Sequence, residues 1–320
     1  MPLNNQPSPG LDVITFGEAM LLLVAEQTGP LEQVTAFHKR TAGAETNVAI
    51  GLARLGLKVG WASRLGVDSM ARYLLAALSS EGIDCSHVVC DAAQTTGFQF
   101  KTKVGDGGDP LVESHRKGTA ASHMDTASID EAWLLGARHL HATGVFAALS
   151  ASTLPVARKT MDLMRTAGRS VSFDPNLRPT LWHSLDHMRV CINDLAARAD
   201  WVLPGLQEGR LLTGEVTPEG IARFYRQLGA KIVVVKLGSE GAYFEDASSC
   251  GYIPGFAVAK VVDTVGAGDG FAVGVISALL DGLSLPQAVR RGTWVGARAV
   301  QVLGDSEGLP TRVELDAANL

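Results

Sequence analysis

Asp263-Thr264-Val265-Gly266-Ala267-Gly268-Asp269-Gly270-Phe271 runs directly into the apolar series Ala272-Val273-Gly274-Val275-Ile276-Ser277-Ala278-Leu279-Leu280. Residues with almost no side chain to obstruct a ligand, followed by a helix-permissive apolar run, predict a tight loop opening a buried helix. The first amides of a helix have no partner inside it and carry about half a positive charge, so glycines there admit a phosphate to close range. Asp269 falls in the first turn, where the helix dipole is expected to favour its ionised form by about 0.3–1 kcal/mol. A carboxylate beside a bound phosphoryl group is placed to accept the proton of an attacking hydroxyl. The same spacing fits a glycine-rich turn whose aspartate merely caps a helix, and the residues alone leave both readings open.

Working outward, the β-branched run at 231–236 reads as a strand buried on both faces, followed by the turn Gly238-Ser239-Glu240-Gly241. Further strands are expected at 13–17, 59–63, 139–144 and 200–203, and 170–179 reads as a strand leading to a polar loop, with helices at 69–78 and 152–166 between them. This alternation predicts a parallel sheet. Ligands of such sheets bind beyond the carboxyl ends of the strands, which places Asp174, Asn176 and Arg178 where a site is expected. Val48, Leu52 and Leu55 form one apolar helical face, stopped by Gly56. Small residues at 42–44 leave space before that helix, and Asn47 either offers a donor and an acceptor into that space or caps the helix. A helix over 288–303 would pack behind the glycine loop, and Gly304-Asp305 ends it, an aspartate at such a position normally facing solvent.

Two segments break the alternation. Strand-like pieces at 21–24 and 34–39, the half-exposed strand at 96–103, the turn at 105–110 and the returning strand at 111–117 together predict a four-stranded lid formed by about 20–40 and 96–117. Arg116 and Lys117 are the strongest positive charges near it. An arginine fork meets the carboxylate of a sugar acid with two parallel hydrogen bonds, although a lid arginine is often simply solvated. Glu18, after the first strand, reads equally as a solvated turn residue or a contact.

The 320 residues, 46% of them hydrophobic, can bury a large core. With 28 basic and 33 acidic residues the chain lacks the basic excess of a nucleic-acid groove or an anionic-membrane surface. Cys85, Cys90, Cys191 and Cys250 show no paired or zinc spacing, which points to reduced, mostly buried thiols and a cytoplasmic protein. Residues 1–10 carry neither a basic n-region nor an apolar core and read as a flexible tail. His139 and His141 have no further ligand at metal spacing and read as packing or surface residues. A dinucleotide-dependent oxidoreductase would need G-x-G-x-x-G after an early strand, whereas this loop comes late and reads G-x-G-x-G. A sugar-binding protein without catalysis would have no need of Asp269.

The 263–271 stretch resembles the C-terminal signature D-T-x-G-A-G-D-x-F of the ribokinase-like (PfkB) carbohydrate kinases, and further motifs follow that family's order over about residues 12–310. The resemblance implies an α/β fold over 11–320, a mostly parallel sheet flanked by helices with a small β-sheet lid, and transfer of phosphate from ATP to a sugar hydroxyl. It makes Gly266, Ala267 and Gly268 the anion hole and Asp269 the base. Gly43 and Asn47, in a G-G-x-x-x-N-x-A motif with Ala42 in place of its first glycine, would meet sugar hydroxyls. In the D-x-N-x-R segment Asn176 falls to the nucleotide and Arg178 to substrate or phosphate. Lys236, Gly238, Ser239 and Gly241 would border ATP. Glu208 would help hold Mg2+ through water, since Gly205 replaces the Asn of the family's N-x-x-E. Arg116 and the 174–182 segment resemble the branch acting on 2-keto-3-deoxygluconate, in which Asp305 also touches substrate. Gln99 and Ser114 stand where that branch often has tyrosines, so a fructokinase- or ribokinase-like action on a neutral sugar is the alternative. The architecture itself, a lid with apolar strands whose outer face is often hidden in a dimer, leads us to expect a homo-oligomer formed through the lid, and the sequence leaves open whether a monovalent cation assists.

Overall fold

The computed structural model describes residues 10–104 and 110–320. Most of the expected tail, and residues 105–109 of the expected turn, lie outside the described residues.

The β-prone run before Gly17 forms the strand Leu11–Phe16, which lies within a nine-stranded sheet. Across that sheet the order is Cys250–Pro254, Gly241–Glu245, Ile232–Lys236, Trp201–Val202, Ser170–Asp174, Ala137–Thr143, Leu11–Phe16, Val59–Gly66 and Val88–Asp91. Pairing is parallel from Ile232–Lys236 through to Val88–Asp91, and antiparallel at the opposite edge, where Gly241–Glu245 pairs with both Ile232–Lys236 and Cys250–Pro254. The chain therefore moves from Leu11–Phe16 outward on one side, then returns to Ala137–Thr143 on the other side and moves outward again. Between the carboxyl ends of those two strands the order reverses, and such a switch point opens a crevice that binds ligands.

Helices cover both faces. One face buries Phe16, Phe146, Val156 and Ile192, and the other buries Leu52, Trp61, Val273 and Val289. Val233, Val234 and Val235 are fully buried in succession, as a strand covered on both sides requires. His139 and His141 are also fully buried, hydrogen-bonded to Ser170 and Ser172. Burial holds both imidazoles in the neutral form, His141 down to about 3. The cysteines depart from the expectation of mostly buried thiols: Cys191 is buried, Cys85 half-buried, and Cys90 and Cys250 exposed.

The four-stranded lid is a separate sheet in the order Phe37–Ala42, Met20–Thr28, Gly97–Lys103, Val112–His115. The strand Phe37–Ala42 starts later than the expected 34–39, and Leu31–Gln33 before it coils into a single 3-10 turn after Pro30. The strand Gly97–Lys103 alternates as its sequence suggests, with Gln99 and Lys101 buried and Phe98 and Phe100 half-exposed. The helix expected over 288–303 runs Leu285–Ala299 instead. Ser284 and Gln287 close a capping box at its start. Just past its end, the Val300 carbonyl accepts the amides of Val262 and Asp263, which turns the chain away from the helix.

Candidate active site

Gly43 is held at φ 142°, and a Cβ there would lie 2.5 Å from the Glu18 carbonyl oxygen, so only glycine turns the chain this tightly from the lid into the helix Ala44–Arg54. That turn puts Asn47 on the inner side of the first helical turn. Its side chain does not cap its own helix: Nδ2 donates to Asp269 Oδ2 at 2.8 Å. Asp269 sits in the first turn of the helix Ala267–Leu280, which begins at Gly266 in the left-handed region at φ 81°. Asn176, at φ 39° just beyond the strand Ser170–Asp174, donates Nδ2 to Asp269 Oδ1 at 3.0 Å. Three segments far apart in the chain thus converge on one carboxylate, which favours the base reading of Asp269 over that of a capping residue.

Burial pushes the Asp269 carboxyl up to about 7, and the nearby Asp174 adds to the rise, against the Asn47 hydrogen bond and the Arg178 and Lys236 charges. The expectation that the dipole would favour the ionised form is thereby corrected, since desolvation outweighs a term of about 0.3–1 kcal/mol. Burial likewise raises Asp174 to about 6, although the Lys236 ammonium opposes this from 2.5 Å. Lys236 is itself raised, because Asp174 and Glu208 outweigh its own burial.

Two cavities meet here. A larger one of about 700 Å³ is lined by Gly43, Asn47, Gln99, Ser114, Arg116, Asn176, Arg178, Glu208, Gly266, Asp269 and Asp305. A smaller, more apolar one of about 340 Å³ is lined by Gly238, Ser239, Gly241, Phe256, Val258, Ala267, Ala297 and Val300. Lys236, Thr264 and Gly268 border both. Both volumes suit small-molecule sites. Asn176, assigned from the sequence to the nucleotide, lines the larger cavity and bonds Asp269. Asn47 Oδ1 is buried without a hydrogen-bond partner among the described residues. An unpaired buried acceptor on a cavity wall suits a hydroxyl donor from outside the protein.

Glu18 is not a solvated turn residue. It is buried, and its carboxylate takes the Arg116 guanidinium at 2.8 Å and the Thr119 hydroxyl at 2.5 Å. Arg116 thus reaches the larger cavity already paired, which its exposed-lid alternative did not foresee. Arg178 donates Nη1 to the Leu177 carbonyl at 2.9 Å. Asp305, read as solvent-facing, is buried. Its carboxylate takes the Lys101 ammonium at 3.0 Å, which removes the need for water.

Glu208 is engaged by backbone, Oε1 by the Leu177 amide and Oε2 by the Gly205 amide, each at 2.7 Å. Among the described residues, no group of three or more His, Cys, Asp or Glu side chains could hold a metal ion. Mg2+ commonly binds through one or two carboxylates together with substrate phosphates and water, and Glu208 fits that use through water. Sequence reasoning passed over Lys101 and Thr119, whose partners lie far away in the chain. No helix among the described residues is long and apolar enough to cross a membrane.

The model of the pfkB family of carbohydrate kinases matches residues 11–312. A 2-dehydro-3-deoxygluconokinase of Bacillus subtilis is 51% identical over 306 residues, covering 95% of this chain and 94% of its own. The solved structure of a PfkB protein from Polaromonas sp. JS666 is 75% identical with a TM-score of 0.90, covering 96% of this chain and all of its own (100%). A structure from E. coli described as a ribokinase II, in complex with ATP and Mg2+, is 26% identical with a TM-score of 0.89, covering 96% and 98%.

Proposed function

This chain belongs to the pfkB family of carbohydrate kinases, and from that premise we propose that it transfers the terminal phosphoryl group of ATP to a hydroxyl of 2-dehydro-3-deoxygluconate, the 2-keto-3-deoxygluconate of the sequence reading. The observation that carries the reading is the Asp269 carboxylate, held by Asn47 and Asn176 where the polar cavity meets the helix start bordering the apolar one. The sugar acid belongs in the larger cavity, where Arg116 and Arg178 supply the guanidinium groups a carboxylate calls for. Gly43 and Asn47 meet its hydroxyls, Asn47 Oδ1 accepting from one of them. Asp305 lies on the same wall.

ATP belongs in the smaller cavity, its base against Phe256, Val258 and Val300 and its phosphates toward Lys236, Gly238, Ser239 and Gly241. The amides at 266–268 then stabilise the charge of the moving phosphoryl group, and Asp269 accepts the hydroxyl proton. The new bond joins the sugar oxygen to the γ-phosphorus, the bond to the β–γ bridging oxygen breaks, and ADP leaves with that electron pair. Mg2+ would supply charge neutralisation at the phosphates, and Glu208 would hold it through water. The lid excludes water and so limits wasteful hydrolysis of ATP. A cytoplasmic location and pairing of two copies through the lid complete the reading.

ADP release with a panel of ketoaldonic acids, aldonic acids, neutral hexoses and pentoses tests it. We expect 2-dehydro-3-deoxygluconate to give the highest kcat/KM. A neutral hexose or pentose turned over faster than every acid would overturn the substrate, because Gln99 and Ser114 would then be reading a neutral sugar. Sugar-independent ADP release alone would overturn the kinase reading itself.

A further inference from the structure

Lys101 comes from the lid strand Gly97–Lys103, and its side chain is wholly buried. Its ammonium lies 2.6 Å from Asp263 Oδ2 and 3.0 Å from Asp305 Oδ1. Among the described residues no other cation forms an ion pair with either carboxylate. Both partners shape the loop that opens the helix Ala267–Leu280. Asp263 Oδ1 accepts the Val265 amide and Oδ2 the Gly304 amide, each at 3.1 Å. The Asp305 carbonyl packs so closely on Gly266 that a Cβ there would sit 2.1 Å from its oxygen.

Two buried carboxylates on adjoining segments repel each other and are costly to desolvate unless a cation lies between them. Here the cation is part of the chain, and the lid delivers it. The same strand places Gln99 on the wall of the larger cavity, so the substrate pocket and the ammonium share one strand.

Resting on the kinase reading above, we propose that Lys101 is a positioning residue that acts as a built-in monovalent cation: it joins Asp263 to Asp305, thereby sets the 266–268 amides, and frees phosphoryl transfer from any need for added potassium or ammonium. The ammonium touches neither substrate in this account. It acts through the two aspartates on the loop between them. Seating of the lid and geometry of the anion hole are consequently linked, because withdrawing the strand withdraws the charge.

The test uses the full-length protein and whichever sugar the panel selects, with ADP release measured in sodium, potassium, ammonium and tetramethylammonium salts at constant ionic strength. Wild-type kcat is expected to be the same in all four. Lys101→Ala is expected to lose about 100-fold in kcat with little change in the KM for ATP, as misplacement of an anion hole does. Ammonium or potassium, but not tetramethylammonium, is expected to restore activity to that variant by entering the space left. A wild-type enzyme activated by potassium overturns the proposal. So does a folded Lys101→Ala protein with wild-type kcat, or one that no cation rescues. If Lys101→Ala does not fold, the wild-type salt series decides alone. Failure of the kinase reading looks different, since no sugar in the panel would then release ADP in any salt.

Discussion

Asp269→Asn is expected to lower kcat by about 10³-fold, the central range for removal of a general base, while the sugar still binds. Asparagine keeps the shape of the side chain and one acceptor, so one of the two amide donors, Asn47 or Asn176, keeps its partner. The other then faces an amide nitrogen, a loss of about 1 kcal/mol. Replacing a carboxyl that burial already holds partly protonated removes a desolvation cost at the same position, so the two changes oppose each other and the variant should melt close to wild type. Calorimetric titration with the sugar acid and ADP-release kinetics on the same preparation check the split. Loss of binding together with turnover would make Asp269 a scaffold for the two asparagines and not the acceptor of the proton.

Gly266→Ala has the second-largest expected effect, a loss of about 10²-fold in kcat. The methyl would meet the Asp305 carbonyl oxygen at 2.1 Å, and neither backbone can yield without moving the amides that follow. Backbone strain contributes too, since φ is 81°. Gly282→Ala separates the two causes, because Gly282 has φ 80° with nothing within 4 Å of its Cβ position. The Gly282 variant should lose about 1 kcal/mol of stability and keep full activity. Equal activity losses in both variants would show that left-handed strain alone, and not the shape of the loop against Asp305, is responsible.

Much of this arrangement is written locally and therefore legible in the sequence. The glycine loop and its apolar helix lie within one continuous stretch, and Asn47 lies on a helix with a clear apolar face, so each motif could be placed on its element before anything was known of their meeting. The four lid strands showed through alternation and turns. Their pairing order, with Met20–Thr28 parallel to Gly97–Lys103, did not. What stayed hidden is long-range electrostatics. Lys101 alternates with Gln99 on one face, but nothing near it in the chain marks Asp305, 204 positions away, as its partner. The meeting of Arg116 with Glu18, 98 positions apart, was hidden for the same reason, and with it the burial of Glu18. Local rules failed most clearly at Asp269, where position on the helix argued for a stabilised anion and the depth of the site reversed the balance.

The most direct test of the central claim, that a buried Asp269 accepts the sugar proton beside the anion hole, is the pH dependence of kcat/KM at saturating Mg2+. The groups facing Asp269 are Asn47, Asn176, Asp174, Arg178 and Lys236, and with them its carboxyl is raised to about 7. Because the raised value keeps the acid protonated below that point, and only the carboxylate can accept a proton, kcat/KM should fall about tenfold per pH unit below about pH 7 and level off above it. The residual activity of Asp269→Asn should lack that limb. A wild-type profile that stays level from about pH 5.5 to 8, or an Asp269→Asn profile that keeps the same acid limb, would contradict the claim.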